Sequence, residues 1–257
     1  MKLFKELYQY REFLKSNIKK DIRGKYKGSF LGVLWSFVNP LLSVLVYAIV
    51  FPYIMRMKVE NYLIYLITGV IPWTFFVISI NQGMTSILHN ANIIKKVYFP
   101  RIILPISVVT SGVVNFLISC LIIVIFVLFS GIGFSLNILW LPLIILTQYI
   151  LLLGIVFILS AINLYIRDIE YIVGFVLNMM FYITPILYSP DIIPESLKWA
   201  IKINPMAHII SGYRSVFYAK ETPNLMYLGI VFLGSTILML IGYKIFNKLE
   251  KGFAEEV

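Results

Sequence analysis

Five stretches of this chain hold no Asp, Glu, Lys or Arg: residues 28–55, 61–94, 102–166, 171–190 and 222–243. About 20 apolar residues in a helix cross the roughly 30 Å hydrocarbon core of a bilayer, so four of these stretches match one crossing each. The third, 65 residues long, exceeds one crossing. It is interrupted by Ser130-Gly131-Ile132-Gly133 and Ser135-Leu136-Asn137, a turn-rich break that divides it in two. The pattern predicts an all-α integral membrane protein with six transmembrane helices. The same feature excludes a soluble enzyme: 60% of the 257 residues are hydrophobic and 13% are charged, against about a quarter charged in soluble domains.

The connecting segments set the expected orientation. With the N-terminus inside, the inner segments (1–27, 95–101, 167–170 and 244–257) carry 16 of the 22 Lys and Arg residues. That bias predicts both termini in the cytoplasm. The net charge of +10 therefore reflects positive flanks of apolar spans, and no nucleic-acid partner is expected. The charged N-terminal part is 27 residues long and leads into a full-length apolar run, which argues against a signal peptide. Within it, Leu3, Leu7, Tyr10, Leu14 and Ile18 share one helical face, while Lys5, Glu12, Lys15 and Lys19 take the other. This predicts an interfacial helix over residues 2–20, acting as a lipid anchor or also as a contact for a cytosolic partner.

Several chemistries are missing. No acidic or basic residue lies deep in any span, which argues against ion-coupled transport and charged-ring channels. His89 and His208 are expected on opposite sides of the bilayer, and Cys120 stands alone, so neither a metal cluster nor a disulfide is expected. There is no Gly-x-x-x-x-Gly-Lys-Ser/Thr loop, so energy for active transport has to come from another polypeptide.

What the spans do contain is neutral. Gly28, Gly32 and Ser36 form a small-residue stripe that admits a close neighbouring helix, within the chain or from another subunit. Asn39-Pro40 and Pro52 predict an uneven first helix. Asn81, Gln82, Asn115, Gln148, Asn163 and Asn178 are the uncharged polar residues. Aromatics such as Trp35, Trp73, Tyr182 and Tyr188 suit interfacial anchoring, and a minority suit a path for sugar rings.

Two connecting segments stand out. Residues 189–223 are long for a loop and broken for a span. Pro194-Glu195-Ser196 can start a short helix reaching Ile203, and Asn204-Pro205 resembles an N-cap followed by proline at the first helical position. Met206, Ile209, Ile210, Tyr213 and Phe217 then share one face, with His208, Ser211, Arg214, Ser215 and Tyr218 on the other. This pair of helices reads as an external gate or as a surface cap. On the inner side, residues 88–101 are polar, basic and bounded by Pro100, and predict a short helix parallel to the membrane.

Four stretches carry a family resemblance: residues 23–40 (RGKYKGSFLGVLWSFVNP), 69–76 (GVIPWTFF), 90–101 (NANIIKKVYFPR), and 182–188 (YITPILY) with Asn204-Pro205. In this order they resemble the membrane subunit of type-2 ABC exporters, in the branch that handles O-antigen, capsule and teichoic acid. The resemblance implies a homodimer bound to two copies of a soluble ATPase subunit, in the bacterial cytoplasmic membrane. ATP and magnesium would sit on that partner, and this chain would bind no cofactor. Residues 1–27 would be the cytoplasmic amphipathic segment, 28–249 the transmembrane domain and 250–257 a cytoplasmic tail. Residues 90–97 would form the coupling helix, with Asn90, Asn92, Lys95, Lys96 and Tyr98 as its contacts. Residues 194–203 and 205–218 would form the external gate, with Pro194, Trp199, Asn204, Pro205, Tyr213 and Arg214 as key positions. Gly32, Trp35, Ser36, Asn39, Trp73, Tyr182 and Tyr188 are the channel or helix-packing candidates. The substrate implied is a lipid-linked cell-surface polysaccharide, O-antigen-like first, with teichoic acid, capsule, or a drug or lipid as alternatives.

Overall fold

The computed structural model describes residues 7–26, 35–55 and 59–253, and among the described residues there is no strand. Helix α1 (Arg11–Tyr26) runs on past the predicted end at residue 20, and residues 1–6 lie outside the described part. Leu7, Tyr10, Phe13 and Leu14 turn toward the core, and Phe13 meets Phe99 with ring centroids 4.6 Å apart. Arg11, Glu12, Lys15 and Lys19 stay exposed, as the amphipathic pattern predicts. Helix α2 (Trp35–Met55) continues through Pro40 and Pro52.

Helix α3 (Tyr62–Met84) is the hub. Most of its apolar length is buried, 78% of the central stretch, because the rest of the bundle packs around it. Two four-residue helices, α4 (Ser86–His89) and α5 (Ala91–Ile94), follow at its end. Helix α6 (Ile103–Phe129) stops where predicted, since Gly131 and Gly133 take positive φ values of 74° and 75° that L side chains rarely adopt. A short 3-10 turn leads into α7 (Leu141–Tyr165).

Helix α8 (Ile169–Ile183) departs from expectation. The run 171–190 reads as one crossing, yet α8 has 15 residues, about 22 Å at 1.5 Å per residue. Pro185 is the reason: it cannot continue the helix, and it biases Thr184 to the extended conformation observed (φ −76°, ψ 129°). The chain then forms 3-10 turns at Pro190–Ile192 and Glu195–Leu197, helix α9 (Lys198–Ile203) and helix α10 (Pro205–Arg214). A π-helical turn, Ser215–Ala219, extends α10, and α11 (Leu225–Leu249) closes the bundle.

Among the described residues, four stretches are long and apolar enough to cross a membrane: Tyr62–Met84, Ile103–Phe129, Leu136–Tyr165 and Leu225–Gly252. The two remaining predicted spans are represented by shorter apolar helices, Val38–Pro52 and Ile169–Ile183. Helices α7 and α11 pack closely: a Cβ on Gly242 would lie 2.7 Å from the Gly154 carbonyl oxygen. Small residues thus bring these two backbones together. Gly28 and Gly32 lie outside the described residues, and Ser36 is placed in α2 without a described side chain.

Candidate functional site

The break after α8 is heavily tied by side chains. Unwound backbone shielded from water needs partners for its polar groups, and here side chains supply them. Arg214 donates to the carbonyl oxygens of Pro185 (2.5 Å) and Ile186 (2.6 Å). The Tyr62 hydroxyl donates to Leu187 O (2.7 Å) and the Tyr65 hydroxyl to Tyr188 O (2.6 Å). Tyr188 turns its own hydroxyl back onto Tyr182 O (2.7 Å). Asn204 donates from Nδ2 to Thr184 Oγ1 (2.8 Å). Residues 184–188 are therefore held as a unit between α3 and α10.

Arg214 is 8% exposed, and its guanidinium carbon sits 3.5 Å from the centre of the Tyr65 ring. Burial lowers it from its ordinary value to about 10, so it stays charged at neutral pH. Gly69 makes room for it: a Cβ there would lie 2.9 Å from Arg214 Nη2 and 3.3 Å from Ile186. The sequence pattern put Arg214 on the polar face of α10. It is buried instead because the uncapped carbonyls of the broken segment offer it better acceptors than lipid headgroups would.

The other outer residues divide cleanly. Asn204 caps α10, accepting from Met206 N at 3.0 Å, and Pro205 occupies the first turn, as expected. Met206, Ile209, Ile210, Tyr213 and Phe217 are all buried. Tyr213 donates to Gln148 Oε1 (2.9 Å), and Gln148 donates to Pro72 O (2.9 Å), so α10, α7 and α3 are joined through one amide. Pro194 and Trp199 are exposed. The segment 194–203 is a 3-10 turn plus a six-residue helix rather than one helix.

At the opposite end, the predicted helix over 90–97 is reduced to the four-residue α5 followed by a turn, with Asn90 separating it from α4. Ile94 and Phe99 are buried and hold the segment down. Between them Lys95, Lys96, Val97 and Tyr98 project outward, Tyr98 being 92% exposed. Asn92 is exposed as well, and Asn90 accepts from Lys20 Nζ at 2.9 Å. The base of this loop is fixed to the C-terminal end, where Arg101 donates from Nη1 to Glu250 O (2.6 Å) and from its backbone N to Glu250 Oε1 (2.9 Å).

The channel and packing candidates do not gather in one place. Trp35 and Asn39 line a groove of about 320 Å³ between α2, α3 and α6. Trp73 and Tyr182 line another of about 280 Å³ between α2, α3 and α8, together with Tyr47 and Asn178. Tyr188 belongs to the tied break. Among the amides of the apolar helices, Gln148 and Asn163 are fully buried in the bundle, whereas Asn39, Asn178 and Gln82 are exposed. Among the described residues no three His, Cys, Asp or Glu side chains are placed to hold a metal.

Sequence reasoning passed over Tyr62 and Tyr65. The available signal was a pair of tyrosines at the start of a span that must face an unwound segment bearing Pro185.

Comparison with known proteins adds a family. The ABC-2 type transporter family matches residues 12–218. The O-antigen export system permease protein RfbA of Klebsiella pneumoniae is 42% identical over 237 residues, 92% of this chain and 91% of that protein. A second Klebsiella pneumoniae protein of that name is 41% identical over the same span. The Myxococcus xanthus protein of that name is 32% identical over 259 residues, the full length of both.

Proposed function

The chain belongs to the ABC-2 type transporter family, and from that premise we propose that it is the membrane subunit of an ATP-driven exporter of a lipid-linked cell-surface polysaccharide. The observation that carries the reading is the extent of the likeness, about nine-tenths of the chain, to permeases named for O-antigen export. Two copies of the chain form the pathway, and two copies of a separate ATPase subunit power it. The assembly lies in the cytoplasmic membrane with both termini inside, and α2 and α8 complete six crossings per copy.

The residues support this division of labour. Exposed Asn92, Lys95, Lys96, Val97 and Tyr98 form a raised, basic and aromatic loop on an otherwise anchored segment, a suitable contact for a soluble motor. The Arg101–Glu250 tie and the α1 packing beneath it stiffen the base, so a push on the loop reaches α6 and α11 rather than dissipating locally. At the outer end, Trp199 and the exposed edge of α9 face outward from a segment fixed by Arg214, Tyr62 and Tyr65. This is a lid with a rigid root. The groove faces of α2 and α8 offer amides and aromatic rings, which hydrate and stack sugars in passage; leaving sugar hydroxyls unpaired in hydrocarbon would cost several kcal/mol.

Deleting the chain in its host tests the reading. Surface polysaccharide should vanish while its lipid-linked precursor accumulates on the cytoplasmic leaflet, with both restored by the intact chain. A deletion strain with normal surface glycan refutes it.

A further inference from the structure

A cavity of about 390 Å³ opens where α1 crosses the ends of α3 and α4 and the first half of α6. Eight of its ten lining residues are polar or charged, among them Lys20, Asp21, Gln82, Ser86, His89 and Asn90. Two buried oxygens there, Asp21 Oδ2 and Ser86 Oγ, have no hydrogen-bond partner among the described residues. Lys20 reaches only a neutral acceptor, Asn90 Oδ1 at 2.9 Å, and makes no ion pair with Asp21 among the described residues. Desolvation raises the Asp21 carboxyl above its ordinary value, the mark of a carboxylate held without enough donors.

This combination selects a ligand class. A bare anion would meet the Asp21 carboxylate, and a bare cation would meet the Lys20 ammonium. A phosphate joined to a sugar satisfies both, because phosphate oxygens accept from the ammonium while sugar hydroxyls donate to a carboxylate and to a serine oxygen. The setting fits a lipid-borne head as well. Helix α1 exposes Lys15 and Lys19 and buries its apolar side, the habit of a helix lying in the membrane interface, so the cavity sits at headgroup depth.

We propose that this cavity binds the phosphate–sugar junction of the lipid-linked glycan at the cytoplasmic leaflet, with Lys20 holding the phosphate and Asp21 the hydroxyls of the first sugar. The proposal rests on the export reading above. It makes the cavity a loading station beside the ATPase-facing loop, since Asn90 belongs to both.

The test uses the full chain with its ATPase subunit in lipid nanodiscs and three probes: a polyprenyl diphosphate carrying one hexosamine, the same lipid without sugar, and soluble hexosamine 1-phosphate. Lys20→Gln should weaken both lipids about tenfold, the loss of one charge-assisted hydrogen bond. Asp21→Asn should weaken the sugar-bearing lipid alone by about fivefold. Unchanged affinities in both variants, or an equal loss for both lipids in Asp21→Asn, would overturn the proposal. Soluble hexosamine phosphate binding as tightly as the lipid would overturn the lipid-borne source. Surface glycan in cells separates the two ideas. If export needs the chain but both variants bind and export normally, the cavity assignment falls alone. If glycan reaches the surface without the chain, the export reading falls with it.

Discussion

Replacing Arg214 with Met is the sharpest perturbation of the broken segment after α8. Met keeps an unbranched apolar stem but abandons the carbonyls of Pro185 and Ile186, now reached at 2.5 and 2.6 Å. Each charge-assisted bond contributes about 1.5–3 kcal/mol, so the gross loss is roughly 3–6 kcal/mol. Part returns because a guanidinium need no longer be kept out of water. A net local destabilisation of about 3 kcal/mol remains, and at tenfold per 1.4 kcal/mol this is roughly a hundredfold. The cost falls on residues 184–188, which have few backbone bonds of their own. Hydrogen exchange by mass spectrometry in nanodiscs should show peptides covering 183–189 exchanging roughly a hundredfold faster in Arg214→Met, with α7 and α11 peptides unchanged. Arg214→Lys should fall between, since a lysine keeps the charge without the planar fork. Unchanged exchange in 183–189, or an equal rise throughout the bundle, would refute the idea that Arg214 fastens this segment.

Further outcomes follow from other contacts. Gly69→Ala should copy part of the Arg214→Met exchange pattern, because its Cβ would press on Arg214 and Ile186, and combining the two should add little. Gly242→Ala drives a methyl to within 2.7 Å of the Gly154 carbonyl and should destabilise the α7–α11 pair by about 1–3 kcal/mol, read as a lower unfolding temperature in detergent. Gln148→Leu strands the Tyr213 hydroxyl and should cost about 1–3 kcal/mol by the same measurement. Tyr98→Ser should leave that temperature unchanged, the ring being 92% exposed, yet reduce stimulation of ATP hydrolysis in the partner subunit.

How far the sequence could be read depends on which interactions are local. The absence of charge over 61–94, 102–166 and 222–243 is a local consequence of bilayer solvation, and it yields the four long helices directly. Gly131 and Gly133 mark the break between α6 and α7 because positive φ is a single-residue property. Asn204-Pro205 is legible for the same reason, as a cap and a first-turn proline. Pro185 lay in plain view within 171–190, but hydropathy averages over it, so the shortened α8 was hidden. Arg214 was assigned to the polar face of α10 by periodicity, and only the tertiary meeting with Pro185 and Ile186, 28 or more residues away in sequence, turns it inward. The Gly154–Gly242 contact is likewise non-local, joining two helices far apart in the sequence. Nothing local to Lys20 and Asp21 marks a cavity; it forms only where the end of α3, α4 and α6 pack beside them.

Transport by purified components bears most directly on the assignment. Proteoliposomes holding this chain with its ATPase subunit, loaded on the cytoplasmic face with a fluorescent lipid-linked glycan, should deliver that glycan to the opposite leaflet only when ATP is hydrolysed. The chain without its partner should hydrolyse no ATP. Glycan crossing at the same rate without nucleotide, or hydrolysis by the isolated chain, would contradict the account.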